Sequence, residues 1–153
     1  MRIPIQAVAL SLSLCALGCR HVSTAPDPRA GIDAALSHYA RSLLNAPVDS
    51  VAASFTPEGE LIIPGLPPVK GRDAIRTFLS PLSAATNVVS VEMLSDSLAI
   101  AEPAAEQAGT YRQVAGPKAG PTQEYRGRYH ATWHHDADGE WRLVRLVMKP
   151  NGM

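Results

Sequence analysis

The chain reads as an α+β domain, with its helices first and an antiparallel sheet after them. Three patterns carry this reading. Ile32, Leu36, Tyr39 and Leu43 recur at the spacing of one helix face. Val89, Val91 and Met93 alternate with Ser90 and Glu92, as residues of a strand do. Tyr125, Tyr129, Ala131 and Trp133 share one face of a later strand whose other face holds Arg126, Arg128, His130, Thr132 and His134.

The chain opens on a leader. Arg2 supplies a positive start, Ile5 to Leu14 an apolar stretch, and Ala16-Leu17-Gly18-Cys19 a small-residue cleavage pattern. The apolar stretch is short of the ~20 residues a spanning helix needs. The pattern resembles a bacterial lipobox, so residues 1–18 are expected to be a cleaved lipoprotein signal peptide, with Cys19 lipidated. The alternative is ordinary cleavage that leaves a secreted or soluble periplasmic protein. Arg20 stands where an aspartate would suggest retention at the inner membrane. The expected location is therefore the cell envelope, lipid-anchored on the periplasmic face of the outer membrane. Cys15 leaves with the leader and Cys19 carries the lipid, so no intrachain disulfide is expected.

Residues 19–28 are polar and proline-bearing, the composition of a tether. A domain over residues 29–150 follows. Asp27 can cap the first helix, with Pro28 at its first position, and Asn45-Ala46-Pro47 ends it. Asp49 offers a cap to a short second helix whose apolar face includes Ala52 and Phe55. Thr56-Pro57-Glu58-Gly59 reads as a turn into the strand Leu61-Ile62-Ile63. Arg72 to Leu79 reads as a third helix, with Ile75, Phe78 and Leu79 on one side and Pro81 as its stop. Leu98 to Ala101 and Tyr111 to Val114 read as strands, and Gly116 to Pro121 as a loop.

The final hairpin turns at Asp136-Ala137-Asp138-Gly139 into Trp141 to Met148, and its register is open. A three-residue turn sets Trp133 beside Trp141 and aims Arg145 toward the helices. A four-residue turn sets Trp133 beside Arg142 and sends Arg145 outward.

With 14 basic and 14 acidic residues the formal charge is zero, and no basic run is interleaved with aromatics. Nucleic acid is therefore not an expected partner. His130, His134 and His135 are neighbours in sequence, but His130 and His134 stand ~13 Å apart along a strand and His135 faces the other way. Ligands of one zinc lie within ~4 Å of each other. No metal site and no cofactor are expected. A nucleophile elbow and a phosphate-binding glycine loop are likewise not in the sequence.

The order of helix, helix, strand and Gly71-Arg72-Asp73-Ala74-Ile75 helix, followed by hairpins ending in Gly127 to Trp133 and Asp138 to Leu143, resembles the nuclear transport factor 2-like superfamily. The SnoaL-like group is the nearest part of it. The resemblance covers roughly Gly31 to Pro150. It implies a cone-shaped fold, a curved antiparallel sheet around the long first helix, with an apolar pocket at the open end and frequent homodimers. Its members include ketosteroid isomerases, cyclases and dehydratases as well as proteins that only bind, so fold alone does not name a reaction.

Isomerase chemistry needs a carboxylate to move a proton and a tyrosine with a protonated acid to hold the oxyanion. Tyr39 lies at the isomerase tyrosine's distance from Phe55. Counted along the chain, however, the base position falls on Ile63, before Pro64, and the second acid near Ala131. Neither side chain can exchange a proton. The expected function is therefore to hold a small apolar or amphipathic molecule in a pocket lined by Tyr39, Phe55, Ile63, Phe78, Tyr129, Ala131 and Trp133. The alternatives are a cofactor-free isomerase, dehydratase or cyclase using Tyr39 with Glu92, His130 or Arg145, and a structural or partner-binding homodimeric lipoprotein.

Overall fold

The computed structural model describes residues 27–151. The leader, Cys19 and most of the tether lie outside the described residues. Three helices, α1 (Pro28–Asn45), α2 (Val48–Ala53) and α3 (Arg72–Ala85), accompany six strands. The strands are β1 (Phe55–Ile62), β2 (Val69–Lys70), β3 (Thr86–Ala101), β4 (Ala104–Pro117), β5 (Gln123–His135) and β6 (Trp141–Pro150). They form one open sheet in the order β2-β1-β6-β5-β4-β3. Every pairing is antiparallel except β1 with β6.

Helix α1 begins where the sequence places it. The Asp27 carboxylate accepts a hydrogen bond from the Arg29 N–H at 3.0 Å, satisfying one of the free donors of the first turn, and Pro28 supplies a residue with no N–H to satisfy. Ile32, Leu36 and Tyr39 on its stripe are buried against the inner face of the sheet, where α1 meets β3 and β6. The core joins them to Phe55, Ile75, Tyr129, Trp133, Trp141, Leu143 and Leu146. Burying each large side chain contributes ~1.5–3 kcal/mol.

Three expectations are corrected. Phe55 is not on a helix: α2 ends at Ala53 and Phe55 opens β1, fully buried. Thr56 to Gly59 is a bulged stretch of that strand instead of a turn, because Phe55 pairs with Leu143 while Glu60 pairs with Arg145. The Arg72 guanidinium supports the bulge by donating to the Phe55 carbonyl at 2.5 and 3.0 Å. Pro81 does not stop α3, which runs on to Ala85. Ile75, Phe78 and Leu79 pack on the core, and that packing offsets the one backbone hydrogen bond that Pro81 cannot donate.

The last hairpin takes neither expected register. His135 pairs with Trp141 and Trp133 with Leu143, and a bulge at Val144 then sets Arg145 opposite Thr132. Trp141 therefore faces inward, 6 % exposed, with His135 stacked on its indole at 4.7 Å. Arg145 faces outward and pairs with Glu60 at 3.3 Å. Two further bulges, at Val89 and Asp96, interrupt the pairing of β3 with β4. Each adds a residue to one strand only and bends it, so the sheet curves around α1.

Candidate functional site

A cavity of about 480 Å³ opens where the C-terminal ends of α1 and α3 approach the ends of β1, β3, β4 and β6. Its two sides differ in chemistry. Leu43, Leu44, Val48, Val51, Leu61 and Ile63, from α1, α2, β1 and the residue that follows β1, make an apolar wall. Ser83, Thr86, Asn87, Gln113 and Lys118, from the α3–β3 junction, β4 and the loop after β4, bring polar side chains to the other. Leu79, Leu82 and Met148 bridge the two. No Asp, Glu or His is among the described residues that line the cavity.

Register explains the polar wall. Thr86 and Asn87 of β3 pair with Pro117 and Gly116 of β4, so the start of one strand and the end of the next lie side by side beneath the end of α3. The Lys118 N–H donates to the Ala85 carbonyl at 3.0 Å, which ties the β4–β5 loop to the last turn of that helix. Gln113 pairs with Val91 and points inward with Tyr111 and Ala115.

Two of the expected pocket residues line this cavity: Tyr39 and Ile63. Phe55, Tyr129, Ala131 and Trp133 are packed into the core instead, at 0 %, 2 %, 0 % and 1 % exposure, and Phe78 packs against that core. The reason is the curvature of the sheet. Side chains in the middle of β5 join the core that α1 also enters, whereas the cavity is lined from the ends of the elements. Tyr39 stacks edge-on against Phe55, ring centroids 6.0 Å apart, and burial pushes its phenol well above the usual tyrosine value. The hydroxyl is therefore neutral at physiological pH. Tyr129 is pushed up to about 12, chiefly by burial, with the charges of Asp96 and Asp33 adding to it.

The residues named for the enzymatic alternative do not come together. Glu92 is exposed opposite Arg112, and both lie on the outer face of the sheet. His130 is on the same outer face, 3.3 Å from Glu106, and Arg145 is paired with Glu60. Only Tyr39 of the four reaches the cavity. The outer face is a field of such pairs. Glu124 bridges Arg112 and Arg126, Arg128 meets Asp96 at 3.2 Å, and Arg142 meets Asp136 and Asp138 at 2.6 and 2.7 Å. The Arg142 guanidinium holds the Asp138 carboxyl down to about 2, helped by the Glu140 N–H. Exposed pairs of this kind add little stability each.

The cavity residues that sequence reasoning missed include the polar ones, Asn87, Gln113 and Lys118, together with Leu61 and Met148. Gln113 alternates with Tyr111 in the sequence and was in principle legible as inward. Lys118 sits in a Gly/Pro-rich loop, where nothing local fixes its direction.

The model of the SnoaL-like domain family matches residues 27–147, and the chain belongs to that family. Solved structures agree on the fold. A ketosteroid isomerase-like protein from Erwinia carotovora atroseptica superposes with a TM-score of 0.74 at 18 % identity, over 84 % of this chain and 100 % of that one. ActVI-ORFA from Streptomyces coelicolor gives 0.70 at 17 % identity, over 82 % and 98 %. A nuclear transport factor 2-like protein with a cystatin-like fold from Novosphingobium aromaticivorans gives 0.68 at 16 % identity, over 82 % and 83 %. No curated protein matches the chain's sequence. The nuclear transport factor 2-like fold and the SnoaL-like assignment expected from the sequence are thus borne out.

Proposed function

We propose that this chain is a lipid-anchored envelope protein whose SnoaL-like domain holds a small apolar or amphipathic molecule in the cavity between α1, α3 and the sheet ends. The observation that carries the reading is the cavity itself. Its volume of about 480 Å³ lies within the range of small-molecule sites, and its described lining holds no carboxylate or imidazole to move a proton. An isomerase, which the name of the Erwinia neighbour invites, would need an acid near Tyr39. Counted along the chain, the corresponding positions fall on Ile63 and near Ala131, and Ala131 is sealed in the core. The leader pattern ending in Cys19 supports the anchor, and Arg20 supports the periplasmic face of the outer membrane.

Ser83 tests the cavity, because it lines the cavity from an exposed position on α3 and can be enlarged without disturbing the core. The protein isolated in mild detergent is expected to show a non-covalent small-molecule adduct in native mass spectrometry, and Ser83→Trp to lose it while melting at the wild-type temperature. A wild-type protein that carries no adduct and takes up none of the neutral probe N-phenyl-1-naphthylamine would end the reading. Ala131→Phe is unsuitable for this purpose, since it would overpack the core instead of filling the cavity.

A further inference from the structure

We infer that the cavity selects an amphipathic anion, an apolar body bearing a carboxylate or sulfonate, and that Lys118 is the residue that recognises its charged end. The inference rests on the proposed binding function and names the chemical class of the guest. Four observations support it.

Lys118 is the one Lys or Arg among the described lining residues, and no Asp or Glu accompanies it there. Its ammonium makes no salt bridge with any described carboxylate, whereas Arg76, Arg112, Arg126, Arg128, Arg142, Arg145 and Lys70 all do. The polar wall supplies neutral groups beside it: the Asn87 and Gln113 amides and the Ser83 and Thr86 hydroxyls can donate to the oxygens of an anion. The opposite wall is mainly aliphatic, with Tyr39 and Ser42 as its neutral polar residues, so a guest with one charged end is favoured with the charge at Lys118 and the body against Leu61, Ile63 and Val51.

The end of α3 also lies at this wall, and the negative end of a helix dipole attracts cations. The Leu82 and Ala85 carbonyls, however, already accept main-chain hydrogen bonds from Thr86 and Lys118. The ammonium is therefore not needed to satisfy them. Its backbone is held by the Ala85 contact while the side chain stays exposed at the mouth, as a headgroup site requires.

Two probes of one scaffold separate charge from apolar fit: anionic 8-anilino-1-naphthalenesulfonate and neutral N-phenyl-1-naphthylamine. Both are titrated by fluorescence into the wild type, Lys118→Gln and Lys118→Arg at low salt, with Ser83→Trp subtracting binding outside the cavity. The anion is expected to lose about tenfold in affinity in Lys118→Gln and to keep it in Lys118→Arg, while the neutral probe changes by less than about twofold. Raising the salt should weaken only the anion. Equal effects on the two probes, or none on the anion, overturn the role of Lys118 and leave the cavity reading standing. If neither probe enters the wild-type cavity, both fall together. Thermal melts of each variant show whether the loop substitution has left the fold intact.

Discussion

Gly109→Ala is expected to lower the stability of the domain by about 3 kcal/mol or more, a loss that a thermal melt would show as a drop of roughly 10 °C. Gly109 lies in β4 between Ser95 of β3 and Tyr129 of β5. A Cβ added there would stand 1.9 Å from the Leu94 carbonyl oxygen, 2.7 Å from Cε1 of Tyr129 and 2.8 Å from its hydroxyl. None of these can yield cheaply. The carbonyl belongs to the neighbouring strand beside the bulge at Asp96, and the tyrosine ring is 2 % exposed. Gly109 is thus the place where β3 and β5 crowd β4 as the sheet curves, and the methyl group would force them apart. Gly139→Ala serves as the comparison. Its φ of +85° penalises a side chain, but nothing lies within 4 Å of the added carbon, so its cost should be held to ~1–2 kcal/mol. Equal melting temperatures for the two variants would contradict the packing described here.

The second large effect concerns the polar contact inside the core. Trp133 and Gln107 are each 1 % exposed, and the indole N–H donates to Gln107 Oε1 at 3.0 Å. Gln107 Nε2 has no hydrogen-bond partner. Trp133→Phe removes volume from a sealed site and leaves both ends of the Gln107 amide unpaired, a loss of roughly 2–4 kcal/mol. Gln107→Leu strands the indole N–H but removes the unpaired amide, and the two effects oppose each other. In the double variant no buried polar group of the pair remains to be satisfied. It should therefore be about 1–2 kcal/mol more stable than Trp133→Phe alone. Urea denaturation of the four proteins closes the cycle, and simple additivity would show that the contact carries no coupling.

Much of the fold was legible in the chain. The stripe of Ile32, Leu36 and Tyr39, the Asp27-Pro28 start and the inward face of Tyr129, Ala131 and Trp133 all have a local physical cause, and all stand as expected. The departures have a common cause too. Bulges at Val89, Asp96 and Val144 each shift the alternation by one residue, and no single residue type announces them. The direction of Arg145 turned on one of these. Phe55 was misplaced because Ala52 and Phe55 continue a helical apolar spacing, whereas pairing with Leu143, distant in sequence, makes Phe55 the start of a strand. The site was the least legible part. Large aromatics suggest a pocket from sequence, yet in this chain they fill the core, and the cavity is left to Leu61, Met148, Gln113 and Lys118 at the ends of elements. Such a space depends on how far the elements diverge, which local spacing does not encode.

The central claim is that a guest occupies the space between α1, α3 and the sheet ends. Methyl NMR of the mature protein during titration with N-phenyl-1-naphthylamine tests it most directly. Saturable shifts are expected at Leu61, Ile63 and Met148, which line the cavity, with the core methyls of Leu143 and Leu146 little changed. Shifts confined to the exposed Val89, Leu94 and Val144, or none that saturate, would contradict the account.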